Sequence, residues 1–170
     1  TDGSVPEIIV EYEEELAQNG LPDGRVVTGT GDIAKAWYSE ATTRYRHGVL
    51  GDAIEAGALK VQNQRGETYT FRLPRNEVFE DITPRLADLD GDGKTEVITI
   101  LSSADGGGSV AVFNLNGNAF IKVGQSDFIG RPNRWLNIAE IDTFSGSSTP
   151  EIALVVTPHL AGVLQFYRFQ

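Results

Sequence analysis

Between residues 88 and 96 the chain sets carboxylates at alternating positions, Asp88, Asp90 and Asp92, and closes with Glu96. Counted from Asp88, these occupy loop positions 1, 3, 5 and 9. Calcium is a hard cation that takes about six to eight oxygens at roughly 2.3–2.6 Å, and alternating side chains on a tightly curled backbone can supply them together. Gly93 stands at position 6, where the turn is sharpest and a Cβ would obstruct, and the Lys94 carbonyl at position 7 adds a backbone oxygen. Three carboxylates so close repel one another until a cation neutralises them. The same opening begins the calcium loop of a helix–loop–helix hand, but position 12 is Thr99 rather than Glu, and both flanks read as strands. We therefore expect Asp88, Asp90, Asp92, Glu96 and the Lys94 carbonyl to hold Ca2+ between two β-strands.

Other residues that tempt are better explained without chemistry. His47 and His159 lie far apart, the chain has no Cys, and no His pair stands at metal-ligand spacing, so both read as surface or packed imidazoles. Ser102, Ser103, Ser145, Ser147 and Ser148 fall in Gly-rich turns without a G-x-S-x-G elbow. Gly29, Thr30 and Gly31 read as a turn rather than a phosphate cradle. Trp37 and Trp135 are expected to pack in the core, with sugar stacking as their other use. No nucleophile–base pair, catalytic metal cluster or cofactor fingerprint is legible, so no catalytic residue and no enzyme activity are expected within the chain.

The elements that must position the acidic loop are short and apolar, bounded by Gly, Asn, Asp or Pro, as strands and turns are. Residues 86–89 and 97–101 flank the loop, the second ending in a polar stretch over 102–108. Residues 109–115 and 119–123 follow as a hairpin about Asn116, Gly117 and Asn118. That makes four consecutive strands, the size of one up-and-down blade. The pattern returns about fifty residues later, where 138–141, 151–156 and 162–166 echo 86–89, 96–101 and 109–113. A weaker copy spans 48–73, with 58–62 and 68–73 as a hairpin about Gln64, Arg65 and Gly66. Residues 32–38 read as a strand, 7–12 as another, and 13–18 as a short helix stopped by Asn19 and Gly20. We expect a single all-β domain over 1–170 with approximate units 26–80, 84–125 and 135–170.

The stretch 84–98, Pro84 to Ile98 with the Asp loop at its centre, resembles an FG-GAP or VCBS-type repeat, the calcium-binding blade of integrin-α-like β-propellers. The segment 44–59, with His47, Gly48, Val49, Leu50, Gly51 and Asp52, resembles the non-calcium blades of secreted bacterial proteins of this kind. The resemblance implies β-propeller-type blades of four antiparallel strands, about three repeats forming a partial propeller. It implies Ca2+ at Asp88, Asp90, Asp92 and Glu96 with the Lys94 carbonyl, although the family more often has Asp at position 9. The last unit departs from the pattern. Glu140 and Asp142 stand at positions 1 and 3, Phe144 takes position 5, and Glu151 comes eleven residues after Glu140 rather than eight, so that loop is expected to have lost its metal.

The bulk numbers fit this reading. Of the 170 residues, 40% are hydrophobic and 22% charged, ordinary values for a chain with a core. The formal net charge of −10 disfavours nucleic acid or an anionic lipid surface as partner, because each needs a concentrated basic face. No apolar run is long enough to span a membrane. The absence of Met means that Thr1 is not a translation start, so we expect a processed product with an extracellular or periplasmic location. The function expected is that of a binding or scaffold module recognising a protein or glycan. Two alternatives remain, a propeller-class polysaccharide lyase or hydrolase with its active site outside this segment, and a structural subunit of an assembly or filament. Three blades do not close a ring, so self-association, a partner chain or a longer native chain is expected to complete it.

Overall fold

A computed structural model describes residues 19–158, 160 and 162–169. The strand read at 7–12, the helix read at 13–18 and His159 lie outside the described residues. The described chain is all-β, with no helix, and its strands form one antiparallel sheet of nine and another of three.

The first four strands are β1 (Val27–Thr28), β2 (Ile33–Thr42), β3 (Glu55–Asn63) and β4 (Thr68–Arg72), each antiparallel to the next. The turn between β3 and β4 carries Gly66 at φ 84°, a left-handed geometry open to glycine at little cost. After the short β5 (Glu77–Phe79) comes a second four-strand run: β6 (Arg85–Ala87), β7 (Glu96–Ser103), β8 (Gly107–Asn116) and β9 (Ala119–Gln125). The three-stranded sheet is β10 (Leu136–Asp142), β11 (Glu151–Val156) and β12 (Val163–Arg168).

Residues 26–80 and 84–125 do not sit in separate sheets. β5 pairs with β3 at Ala56 and Phe79 and with the far half of β7 at Val78 and Ser102, stitching both runs into the nine-stranded sheet. Val78 and Phe79 are fully buried, so the bridge is anchored by apolar packing as well as by its ladder.

β7 explains the arrangement of the core. Its eight residues are all buried, and successive side chains of a strand point to opposite faces. Val97 and Leu101 enter one cluster with Tyr38, Leu59, Phe79 and Phe113. Ile98 and Ile100 enter a second with Leu136, Ile138, Ile152 and Leu154 of the three-stranded sheet. β8 divides likewise, sending Ala111 and Phe113 to the first cluster and Val110 and Val112 to the second. A strand covered on both faces reads as a nearly continuous apolar run, as residues 97–101 do with Thr99 the one polar member. Each fully buried Ile or Leu contributes about 1.5–3 kcal/mol.

The polar stretch expected from Ser102 starts later than the sequence suggests. Ser102 and Ser103 continue β7, and Ser102 is fully buried. Its hydroxyl donates to the buried Glu80 carboxylate at 2.5 Å, which lets a polar residue occupy a covered strand end. A second buried network fixes β6 against β2. The Tyr38 hydroxyl meets Thr99 and donates to Asp81 at 3.3 Å, and Arg85 holds both Asp81 oxygens at 2.6 and 2.7 Å. Burial pushes the Asp81 carboxyl up from its ordinary value, against the opposing pull of Arg85.

Candidate metal centre

The acidic loop leaves β6 at Ala87 and returns at Glu96, the first residue of β7. Gly91 at φ 79° and Gly93 at φ 85° curl the backbone left-handed twice within three residues. Asp88 folds over that curl, its Oδ1 accepting from Gly91 N at 2.7 Å and its Oδ2 from Gly93 N at 2.9 Å. Asp90 Oδ1 accepts from Asp92 N at 3.1 Å and Asp92 Oδ1 from Lys94 N at 2.8 Å. These local bonds between carboxylates and amides two to five residues on give the short polar loop a defined shape.

Asp88, Asp90 and Glu96 each bring one carboxylate oxygen within 4.8 Å of the other two. Asp90 is exposed, Asp88 half-buried and Glu96 buried, so the group opens to solvent on one side and reaches the strand layer on the other. Asp92 does not join this group of three; its carboxylate accepts from the Lys94 amide instead. The Lys94 carbonyl belongs to the same curl, one residue after Gly93.

Glu96 is the residue that ties the loop to the fold. Only 1% exposed, it accepts a hydrogen bond at Oε2 from the amide of the fully buried Leu89 at 2.8 Å. Burial pushes its carboxyl up to about 7, reinforced by the charges of Asp90, Asp92 and Asp88 and opposed by the Leu89 bond. Among the described residues no ion pair joins Asp88, Asp90, Asp92 or Glu96 to a Lys or Arg.

Two neighbours of the loop come from distant sequence. Asp32, just before β2, accepts from Thr95 N at 2.8 Å. Gly31 lies so close that a Cβ there would fall 2.3 Å from Thr95 Oγ1. The turn of Gly29, Thr30 and Gly31 thus serves as a brace for the far end of the acidic loop. Its small residues signal the close approach in the sequence, but not what approaches.

The corresponding position of the three-stranded sheet solves the same problem differently. Glu151 opens β11 as Glu96 opens β7, and it too is buried. Its Oε2 accepts from Ser145 N at 2.9 Å, and its Oε1 receives the Arg168 guanidinium at 2.7 Å. The Ser145 and Arg168 bonds hold its carboxyl below the usual carboxylate range. Glu140 and Asp142 are spent on their own neighbours, bonding Ile141 N and Thr143 N at 3.0 and 2.7 Å.

A second acidic cluster, not foreseen from the sequence, lies where β3, β5 and the 43–54 loop meet. His47 Nδ1 and Ser102 Oγ each lie 2.5 Å from opposite oxygens of Glu80, which is fully buried. Trp135 donates its indole N–H to the Glu80 carbonyl at 3.3 Å, and Tyr45 accepts at its hydroxyl from Asn133 N at 3.1 Å. Both contacts draw the 127–135 loop onto the cluster. Glu55, 3% exposed, has its carboxyl pushed up to about 8 by burial and then by the charges of Glu80, Asp52, Asp23 and Asp81. Trp135 is thus half-buried and hydrogen-bonded, while Trp37 is half-buried with its indole nitrogen enclosed and unpartnered.

No helix of the described residues is long and apolar enough to cross a membrane. No protein-family model, curated protein or solved structure matches this chain.

Proposed function

We propose that this chain is a calcium-stabilised binding or scaffold module of an extracellular or periplasmic protein, built of β-propeller-type blades and recognising a protein or glycan. One observation carries the calcium reading, the contrast between two buried glutamates at equivalent strand starts. Glu151 has Arg168 as its counter-charge, whereas Glu96, apart from its bond from the Leu89 amide, has no Lys or Arg ion-paired to it among the described residues and lies beside the carboxylates of Asp88 and Asp90. A buried carboxylate beside Asp88 and Asp90 is costly unless a cation completes it. An all-oxygen donor set on a flexible loop suits calcium; magnesium demands a smaller, near-ideal octahedral shell and holds its waters.

The four-strand runs β1 to β4 and β6 to β9 have the strand count of propeller blades, which supports the likeness to FG-GAP and VCBS-type repeats. Extracellular calcium modules bind at roughly 10⁻⁴–10⁻³ M, which suits a calcium-rich exterior. In this reading the metal is structural. It ties the end of β6 to the start of β7 and so stiffens the loop side of the blade.

The test is a thermal melt with and without chelator. Binding that selects the folded state stabilises it by RT ln(1 + [L]/Kd), about 2.7 kcal/mol when free calcium is a hundred times Kd. For a chain of this size chelation should lower Tm by about 5–10 °C. Asp90→Ala should remove that response and keep the β-sheet circular dichroism, and magnesium should restore little of it. An unchanged midpoint under chelation would leave residues 88–96 as an ordinary acidic turn.

A further inference from the structure

We propose that β12 is the docking strand of a homodimer, pairing antiparallel with β12 of a second copy about a twofold axis at Gln165. Among the described residues β12 pairs only with β11, in an unbroken register from Val163 to Arg168. All six of its residues are exposed, with Leu164 at 54% and Phe166 at 52%. An edge strand offers a row of unpaired amides and carbonyls, and proteins blunt such edges with charges, Pro, bulges or very short strands. β12 has no Pro and no bulge, and its one charge, Arg168, is already held by Glu151 and Ser145. Of the outer strands of the larger sheet, β1 is only two residues long and β9 is protected by comparison. β9 carries Lys122 and breaks register where it pairs with Val112 and Phe113.

The sequence of β12 is complementary to itself. With Gln165 facing Gln165 of the second copy, Leu164 faces Phe166 and Val163 faces Tyr167, twice over by symmetry. Side chains alternate between faces, so each face of the joined sheet receives apolar pairs, and such cross-strand pairs are what stabilise an antiparallel sheet. The two Arg168 side chains fall at opposite ends, opposite Gly162, so like charges are not brought together. Phe144, 44% exposed and with its ring centroid 5.2 Å from that of Phe166, extends the patch.

Charge points to the same face. At a net charge of −10 two copies repel over most approaches. Residues 163–168 contain no acid, and the nearest buried one, Glu151, is neutralised by Arg168. Phe144, Val163, Leu164, Phe166 and Tyr167 are each between 37% and 54% exposed on or beside this edge, apolar surface that a partner strand would cover in part. Six residues of backbone ladder add the directional part.

Sedimentation velocity of the chain at tens of micromolar in millimolar calcium tests this, together with two paired variants. The wild type should sediment as a dimer. Leu164→Lys with Phe166→Lys should be monomeric, as should Leu164→Glu with Phe166→Glu, both with unchanged far-UV circular dichroism because these side chains are exposed. Mixing the two variants should restore a dimer, since each Lys then faces a Glu in the proposed register. A monomeric wild type would overturn the proposal, including one whose β12 amides are protected from hydrogen exchange by residues 1–18 of the same chain. Variants that remain dimeric, or fail to re-pair on mixing, would overturn it as well.

Discussion

Glu96→Ala should cost about 4–6 kcal/mol of stability in saturating calcium, most of it from two separable losses. Truncation removes the acceptor of the buried Leu89 amide, and an unsatisfied buried donor costs about 1–3 kcal/mol. It also removes the one buried carboxylate of the three-carboxylate group, and with it, on the proposed calcium reading, about 2.7 kcal/mol of calcium-linked stability at a hundredfold excess over Kd. Glu96→Gln separates the two. Its side-chain carbonyl can still accept from Leu89, and it takes a negative charge away from Asp88, Asp90 and Asp92. Without calcium at pH 8 the Gln variant should match or exceed the wild type, by about 1 kcal/mol. With calcium it should fall below the wild type, because the metal loses a charged ligand. Denaturant unfolding of both variants, with and without calcium, reads these signs directly. A Gln variant that kept the full calcium response would remove Glu96 from the site.

The second large effect is a loss of stability with rising pH, traced to Glu55. Its folded-state pKa of about 8 lies above the ordinary carboxylate value, so the folded protein holds this proton more tightly than the unfolded chain does. That contribution is fully present below the unfolded pKa, near 4.5, and is lost as pH rises through 8. Burial is the first cause and repulsion from Glu80, Asp52, Asp23 and Asp81 the next; Tyr45, His47 and Arg44 line the same region. After allowance for screening, the wild type should lose about 2–3 kcal/mol between pH 5 and pH 8.5 through this group. Glu55→Gln should flatten that slope and be the more stable protein at pH 8.5. Unfolding free energies measured across the window in fixed calcium check it, and parallel slopes for wild type and variant would exclude Glu55 as the source.

Much of the fold around the site is legible in the sequence because the local signals and the burial agree. Residues 97–101 are mostly β-branched and, Thr99 apart, apolar without alternation, as suits a strand covered on both faces, and β7 is covered on both. Asn116 and Gly117 announce the turn between β8 and β9, and Gly117 adopts φ 61°. The extent of β7 is less legible. Ser102 and Ser103 look like turn residues until Glu80, 22 residues away in sequence, supplies a buried partner. β5 is illegible for the same reason: three residues between loops form a bridge only because β3 and β7 lie on either side of it.

The acidic loop is legible in its residue types and less so in its depth. The alternation of Asp88, Asp90 and Asp92 gives the curl, and the paired glycines permit it. That Glu96 is buried and bound to Leu89 follows from its place at the head of a central strand, which only the sheet topology fixes. That Asp92 turns to the Lys94 amide, outside the group of three, depends on backbone angles that spacing does not encode. The brace from Asp32 comes from 63 residues away, and pairing over such a distance leaves no local trace beyond the small residues beside it.

Calcium uptake measured by equilibrium dialysis, on the intact chain and on an Asp88→Asn, Glu96→Gln variant, tests the metal assignment most directly. The intact chain should take up one calcium per molecule, half-saturating at roughly 10⁻⁴–10⁻³ M. The double variant should take up none in that range while retaining its β-sheet circular dichroism. No uptake by the intact chain at millimolar calcium, or equal uptake by both proteins, would contradict a calcium site at Asp88, Asp90 and Glu96.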